Sequence, residues 1–299
     1  MSAVVFVNGE FLPAEQARLS VWEGGWLHGA GLFETMRAFR GRIFRLDAHL
    51  ERMMDSAVKL LFSVERPDLP LTTDFDTLLE RNGLGDARVR LTVSAGPLVG
   101  GDARPADQEA DRPRPTVCAT AAPLTGYPAE LRTRGMTVAL SPFKVSPSDP
   151  VAGHKCTSYL PRLLALRDAH ARKCGEALWF TTGNLLSEGS ISNVFLVSGG
   201  RLMTPPTDTP ALRGITRATV LELARQAGIE TAAKPLTIDN LLDADEVFLT
   251  NSIMEVMPVC RVERHDIGQG RPGPITKRLA EEYRQLLEKE CRAHGQAEG

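Results

Sequence analysis

The stretch VAGHKCTSYLPRLLALRDAH, residues 151–170, places a lysine, Lys155, just ahead of a helical pattern. Leu160, Leu163 and Leu164 open an apolar stripe at helical spacing, which predicts a helix that buries those leucines. Arg167 stands where the next apolar residue would fall, so the stripe is narrow. A lysine at such a junction is ordinarily a solvated surface group. Here it follows Gly153 and His154 and lies between segments with very different patterns.

The bulk composition narrows the field. The chain has 299 residues, 42% of them hydrophobic and 24% charged, which is ordinary for a globular protein and long enough for two domains. Its formal net charge of −2 leaves no basic field to draw nucleic acid or an anionic membrane. No run approaches the ~20 apolar residues that span a bilayer. The start, MSAVVFVNGEFLP, lacks the basic and apolar regions of a signal peptide. Five cysteines without paired spacing fit a reducing cytoplasm, and no CxxC or HxxxH cluster points to a metal.

Outward from Lys155, the pattern changes with chain position. Toward the N-terminus, VVFVNGEFL carries Asn8-Gly9 between apolar runs, a two-residue hairpin signal. GLFETMRAFRGRIFRL repeats that form with Arg40-Gly41 at the bend. LDAHLERMMDSAVKLLF puts Leu46, Leu50, Met53, Ala57 and Leu60 on one helical face. ARVRLTVSAG (87–96) and TVCATAAPL read as strands, and residues 97–116 between them, rich in Pro, Gly, Asp and Arg, as a mobile loop.

Toward the C-terminus, ALWFTTGNLLSEGSISNVFLVSGGRLMTPP reads as short strands with turns at Gly183-Asn184 and Gly199-Gly200. TRATVLELARQAG is a helix stopped by Gly228. DEVFLTNSIMEVMPVCRV is strand, polar turn, strand, and ITKRLAEEYRQLLEKECRAH a closing helix. The mixture is α+β, and no Gly-rich fingerprint follows a strand as a dinucleotide site requires. The expected division is an N-terminal α/β domain over 1–122, a linker over 123–135 and a C-terminal domain over 136–299.

Several residues invite chemistry, each with a plain alternative. LRGITRATV sets Ile215 and Thr216 at a helix start, which suits either an N-cap or a phosphate. Asn251 and Ser252 occupy a turn that is either structural or an anion clamp. Arg52 has Glu51 and Asp55 as neighbours to pair with, or a phosphate to grip through its planar fork. Glu188, between apolar strand segments, is either exposed on a turn or aimed at a cationic partner. An inward Arg90 in VRLTV must be paired or functional. Thr35 follows Glu34 in a strand, so one of the two faces inward.

Taken in order, HGAGLFETMR, LDAHLERMMDSA, HK…SYL, LSEGSISNVF, LRGITRATVLELA and DEVFLTNSIMEVMPV resemble the fold type IV (class IV) pyridoxal-phosphate enzymes over roughly residues 4–262. That group includes branched-chain aminotransferases, D-amino-acid aminotransferases and 4-amino-4-deoxychorismate lyases. The resemblance implies a two-domain α+β fold, with a small N-terminal α/β domain, a larger barrel-like C-terminal domain with helices, and pyridoxal 5′-phosphate between them. It also implies a homodimer.

Residue by residue, the resemblance gives Lys155 the Schiff base with the cofactor and Glu188 the pairing with its ring nitrogen. Arg52, Ile215, Thr216 and Ser252 match the phosphate cradle. Thr35, Arg90, Asn251 and His28 fall at substrate positions, with Thr35 assisting proton delivery or holding the leaving group. His154 has no catalytic role, since adjacent strand positions face opposite ways. Within the family, Thr35, Arg90 and the Asn251–Val259 turn are most similar to the lyases, which release pyruvate and 4-aminobenzoate for the folate pathway. The alternative is a branched-chain or other aminotransferase, although the tyrosine of its Tyr-x-Arg strand motif is Arg88 here. Ala95 stands where the D-amino-acid enzymes carry an arginine. A carrier that binds the cofactor without turnover would lack Lys155 or Glu188, and both are present.

Overall fold

A computed structural model describes residues 3–96 and 115–292. The expected loop over 97–116 therefore lies outside the described residues except for its last two. The chain divides into two compact units, and the division does not follow chain order. The first unit comprises the chain to Thr125, the short segment His154–Tyr159 and the C-terminal end from Leu287. The second comprises Gly126–Gly153 and Leu160–Leu286.

In the first unit, the strands are β1 (Val4–Val7), β2 (Glu10–Pro13), β3 (Gly31–Phe39), β4 (Arg42–Ile43), β5 (Ala87–Ser94) and β6 (Thr116–Pro123). Its helices are α1 (Gly24–Leu27), α2 (Leu46–Lys59) and α3 (Thr72–Arg81). The six strands form one sheet in the order β2-β1-β6-β5-β3-β4, antiparallel throughout. Both predicted hairpins are present. Asn8 and Gly9 have φ of 49° and 92°, and Arg40 and Gly41 have 51° and 77°. Two consecutive positive φ values match the right-handed strand twist, which is why such bends carry Gly.

One face of that sheet carries Leu32, Met36, Val89, Leu91 and Val93, and it is sealed by Leu46, Leu50, Met53 and Ala57 of α2 with Phe75, Leu78 and Leu79 of α3. The period of two along the strands and of three to four along the helices produces this core directly.

In the second unit, the strands are β7 (Met136–Val145), β8 (Glu176–Thr181), β9 (Leu186–Gly189), β10 (Asn193–Ser198), β11 (Arg201–Thr204), β12 (Thr231–Ala233), β13 (Glu246–Asn251), β14 (Glu255–Val262) and β15 (His265–Asp266). The helices are α4 (Ala129–Arg134), α5 (Leu160–Ala171), α6 (Ile215–Gln226), α7 (Ile238–Leu242) and α8 (Pro274–Glu290), the last ending in the first unit. The sheet order is β12-β11-β10-β13-β14-β7-β8-β9, with β15 beside β14. β9 and β10 are separated by only three residues, Ser190–Ser192, yet four strands lie between them in the sheet path. Gly189 N–H donates to Ser192 O at 2.7 Å and closes that connection. The sheet must therefore curl back on itself, as in a partly closed barrel.

α5 overturns one expectation. Leu160, Leu163 and Leu164 are 61%, 42% and 42% exposed, and the buried residues are Ala165 and Ala169. The helix packs on β7 and β8 beside Ala139, Ala177 and Trp179, where the buried helical positions are both alanines, so the leucines face away.

Gly228 behaves as predicted for a residue just past a helix end, with φ of 72° and nothing within 4 Å of a would-be Cβ. Gly228→Ala is therefore expected to cost about 1–2 kcal/mol from backbone strain alone, read as a lower urea midpoint with an unchanged slope.

Candidate active site

The candidate residues fall into two sets, one in each unit. In the first unit, residues 155–157 lie along the β4-side edge of β3, which β4 itself reaches only at Ala38 and Phe39. Phe33 N–H donates to Lys155 O at 2.9 Å and Thr157 N–H to Gly31 O at 2.8 Å. The approach is close because Gly29 and Gly31 have no side chains. A Cβ at Gly31 would lie 2.8 Å from the Thr157 hydroxyl, and one at Gly29 2.6 Å from that of Ser158. Thr157 and Ser158 both donate to Gly29 O. The Lys155 Nζ then rests 4.5 Å from the centroid of the Phe33 ring.

Phe33 is shared. The Arg90 guanidinium lies 3.8 Å from the same centroid, and Tyr159 meets Phe33 edge-on at 5.4 Å. Register explains the gathering: Thr35 is directly opposite Arg90, and Phe33 opposite Thr92, so all four project from one face of the β3–β5 pair. Arg90 donates to Thr92 Oγ1 at 3.3 Å. Burial lowers the Arg90 pKa, Arg88 lowers it further, and Tyr159 acts in the opposite sense.

Glu34 points to the other face, toward α2. Its Oε2 lies 2.7 Å from His49 Nδ1, and its Oε1 accepts from Arg52 Nε at 2.8 Å. Arg52 closes the fork with Nη2 on Oε2. Arg52 is thus gripped by Glu34, whereas its sequence neighbours Glu51 and Asp55 had offered the obvious pairing. Glu34 and His49 were not legible as site residues. Burial alone would raise the Glu34 pKa, but Arg52 and His49 outweigh it and hold it at about 2. Burial lowers that of His49, against the pull of Glu34. His154 is turned away to Ser56, with Nδ1 and Oγ 2.9 Å apart, and His28 is exposed at the end of α1.

In the second unit, Glu188 on β9 is buried and engaged by partners of different character. Its Oε1 meets Arg162 Nη2 at 2.6 Å. Its Oε2 accepts from Leu212 N–H at 2.8 Å and from Asn193 Nδ2 at 3.4 Å. Asn193 also donates to Leu212 O, which fixes the residues leading into α6. Gly214 is the N-cap of α6, and a Cβ there would lie 1.9 Å from Asn193 Oδ1. Ile215 and Thr216 therefore open the helix, and Thr216 is not its cap. The Thr216 hydroxyl is buried without a hydrogen-bond partner, as is that of Thr250 on β13. A helix N-terminus beside an unpartnered hydroxyl suits a phosphate. These residues fit the phosphate of the expected cofactor.

The turn after β13 is built on Asn251. Its Oδ1 accepts from Ile253 N–H and Met254 N–H, both at 2.8 Å, and its Nδ2 donates to Ile191 O at 3.0 Å. The side chain is thus engaged in shaping the turn that carries Ser252. Glu176 holds the other side of Ile191, accepting from the N–H groups of Ala177, Ser190 and Ile191 and from the Ser192 hydroxyl.

Comparison with known proteins gives a consistent result. Residues 31–262 match the pattern of the family described as amino-transferase class IV. A putative branched-chain-amino-acid aminotransferase from Methanocaldococcus jannaschii is 34% identical over 291 residues, 95% of this chain and 96% of that one. The aminodeoxychorismate lyase of Bacillus subtilis is 31% identical over 286 residues, 95% of this chain and 94% of that one. Among solved structures, the branched-chain amino acid aminotransferase of Escherichia coli aligns with a TM-score of 0.87 at 28% identity, covering 99% of this chain and 98% of that one. Another solved branched-chain enzyme that aligns over the whole fold holds pyridoxamine 5′-phosphate.

Removing the Glu34 carboxylate takes away the charge that faces Arg52 and His49, so Glu34→Gln is expected to cost about 3–5 kcal/mol at pH 7, measured by urea unfolding. A pKa lowered from 4.5 to about 2 makes this contribution fully present above pH 4.5 and lost as pH falls through 2. The variant should lack that part of the acid loss seen in the parent.

Proposed function

Because this chain belongs to the class IV aminotransferases, enzymes that depend on pyridoxal 5′-phosphate, we propose that it transfers the amino group of an aliphatic amino acid of the branched-chain type. The observation that carries this reading is the Arg90 cation set beside the Phe33 and Tyr159 rings on one sheet face. A cation for the substrate carboxylate next to an apolar wall suits an amino acid with a hydrocarbon side chain. The relatives named above lean toward this reading, which the sequence ranked second to the lyase.

When bound, pyridoxal phosphate supplies an electron sink for bond changes at the carbon that bears the substrate amine. Lys155 would be its covalent anchor, and the Lys155 amine would move the proton of that carbon. The Lys155 backbone bonds to β3 keep its reach constant. Glu188 pairs with the ring nitrogen. In the second unit, Ile215 and Thr216 N–H, the Thr216 hydroxyl and Ser252 would hold the phosphate, and in the first unit Arg52, aligned by Glu34, would offer it a guanidinium. Each charge-assisted bond of that kind contributes about 1.5–3 kcal/mol, so together these residues would keep the cofactor bound.

A lyase reading keeps one specific support. Thr35 is directly opposite Arg90 in register, so a hydroxyl and a cation face the same side of the sheet. That pairing suits a substrate with both a carboxylate and a leaving enol, as in 4-amino-4-deoxychorismate.

Homodimerisation belongs to this proposal. Trp22, Trp26 and Leu27 in the first unit and Leu160, Leu163 and Leu164 in the second are exposed, and large exposed apolar residues in groups mark association surfaces. A cytoplasmic setting accords with the five cysteines, all free thiols.

The deciding experiment compares leucine plus 2-oxoglutarate with 4-amino-4-deoxychorismate and no acceptor, using purified holoenzyme. Glutamate formation that is lost in Lys155→Ala supports the aminotransferase. Pyruvate release as the faster reaction overturns it in favour of the lyase. Arg90→Met is expected to raise the KM for the amino acid by about 10- to 150-fold, the equivalent of one charge-assisted contact. Trp26→Glu and Leu164→Glu are each expected to move the sedimenting species toward the monomer.

A further inference from the structure

Glu188 is not a lone carboxylate waiting for the cofactor. Arg162, in the first turn of α5, places Nη2 2.6 Å from Glu188 Oε1 and donates through Nη1 to Gly189 O at 2.9 Å. Its guanidinium lies 5.3 Å from the Trp179 ring centroid, and Trp179 is fixed in turn by donating to Ser190 Oγ at 2.9 Å. Trp179 and Glu188 are register partners across β8 and β9. One arginine therefore grips both the side chain of Glu188 and the backbone of the next residue. The fork is fixed on three sides, so it remains with Glu188 as the carboxylate does its work.

A carboxylate that faces a ring nitrogen alone stabilises the protonated ring with its whole charge. One already joined to a guanidinium stabilises it less. The other strong group nearby, the Glu176 carboxylate on β8, is turned to the Ser190–Ser192 connection. Among the described residues, the other hydrogen-bond donors to Glu188, Leu212 N–H and Asn193, are neutral.

We propose that Arg162 is a positioning residue that competes with the cofactor ring nitrogen for Glu188, leaving that nitrogen only partly protonated. The inference rests on the reading that Glu188 faces the ring. Its consequence is a moderated electron sink: the proton shuttled by Lys155 is removed less freely, and unwanted bond cleavages at the same carbon are held back.

The test reads the nitrogen itself. Enzyme reconstituted with 15N-labelled pyridoxal phosphate is titrated with pH while the ring-nitrogen chemical shift is followed. Arg162→Met and Arg162→Gln are expected to move the ring-nitrogen titration upward by about one pH unit, a tenfold gain in proton affinity. Arg162→Lys keeps the charge and is expected to stay near the parent. Arg162→Gln retains a hydrogen-bonding group, which keeps the test open if Arg162→Met does not fold. A parent nitrogen already fully protonated, or unchanged titration in both neutral variants while Glu188→Gln moves the signal, overturns the role of Arg162. If Glu188→Gln also leaves the signal unmoved, Glu188 does not face the ring and both readings fall.

Discussion

Two backbone hydrogen bonds carry more of this architecture than their number suggests. Phe33 N–H to Lys155 O and Thr157 N–H to Gly31 O tie a six-residue excursion of the chain to an open strand edge. The excursion is short, and the residues on either side of it belong to the other unit, so its own contacts must hold it. They do so because Gly29 and Gly31 let the two backbones approach closely. The same contact fixes Phe33, whose ring then organises Lys155, Arg90 and Tyr159. A single edge interaction thus sets the position of an amine, a guanidinium and a phenol.

Three buried glutamates show how surroundings decide what a carboxylate becomes. Glu34 is matched by a cation and an imidazole, and its pKa falls to about 2. Glu176 is equally buried but receives only neutral donors, so desolvation prevails over the hydrogen bonds from Ala177, Ser192, Ile191 and Ser190, and its pKa rises to about 6. Glu188 shares its charge between a guanidinium and a backbone N–H. Hydrogen bonds from neutral groups orient a buried carboxylate well, but an opposite charge is needed to compensate its lost hydration. The first and third of these sites carry a matching cation, and the second serves only to hold a turn.

Much of the fold was legible because its signals are local. Asn8-Gly9 and Arg40-Gly41 announce their bends through backbone freedom, and Gly228 announces a helix end. The α2 face, from Leu46 to Ala57, follows from period alone. What was not legible depends on distance in sequence. Arg162 and Glu188 lie 26 positions apart and on different element types, and nothing in either neighbourhood names the other. Glu34 was visible only as one of two alternating strand residues, while its partners sit on a helix. The leucines of α5 misled for a related reason: apolar spacing reveals which face is greasy, whereas the room left by Ala139 and Ala177 decides which face is buried. The family motifs marked Lys155, Glu188 and Thr216 as candidates, but the side chains that orient them came from the geometry.

The contact between Asn193 and Gly214 has a consequence for how this protein can change over time. A Cβ at position 214 would overlap Asn193 Oδ1 at 1.9 Å, and Asn193 is itself bound to Leu212 O and to Glu188. Neither position can drift alone. An alanine at 214 requires a smaller or displaced residue at 193, and that loss would loosen both the entry to α6 and the grip on Glu188. The two positions are therefore expected to vary as a pair across descendants of this sequence, with the glycine lost only in lineages that have already rebuilt the asparagine.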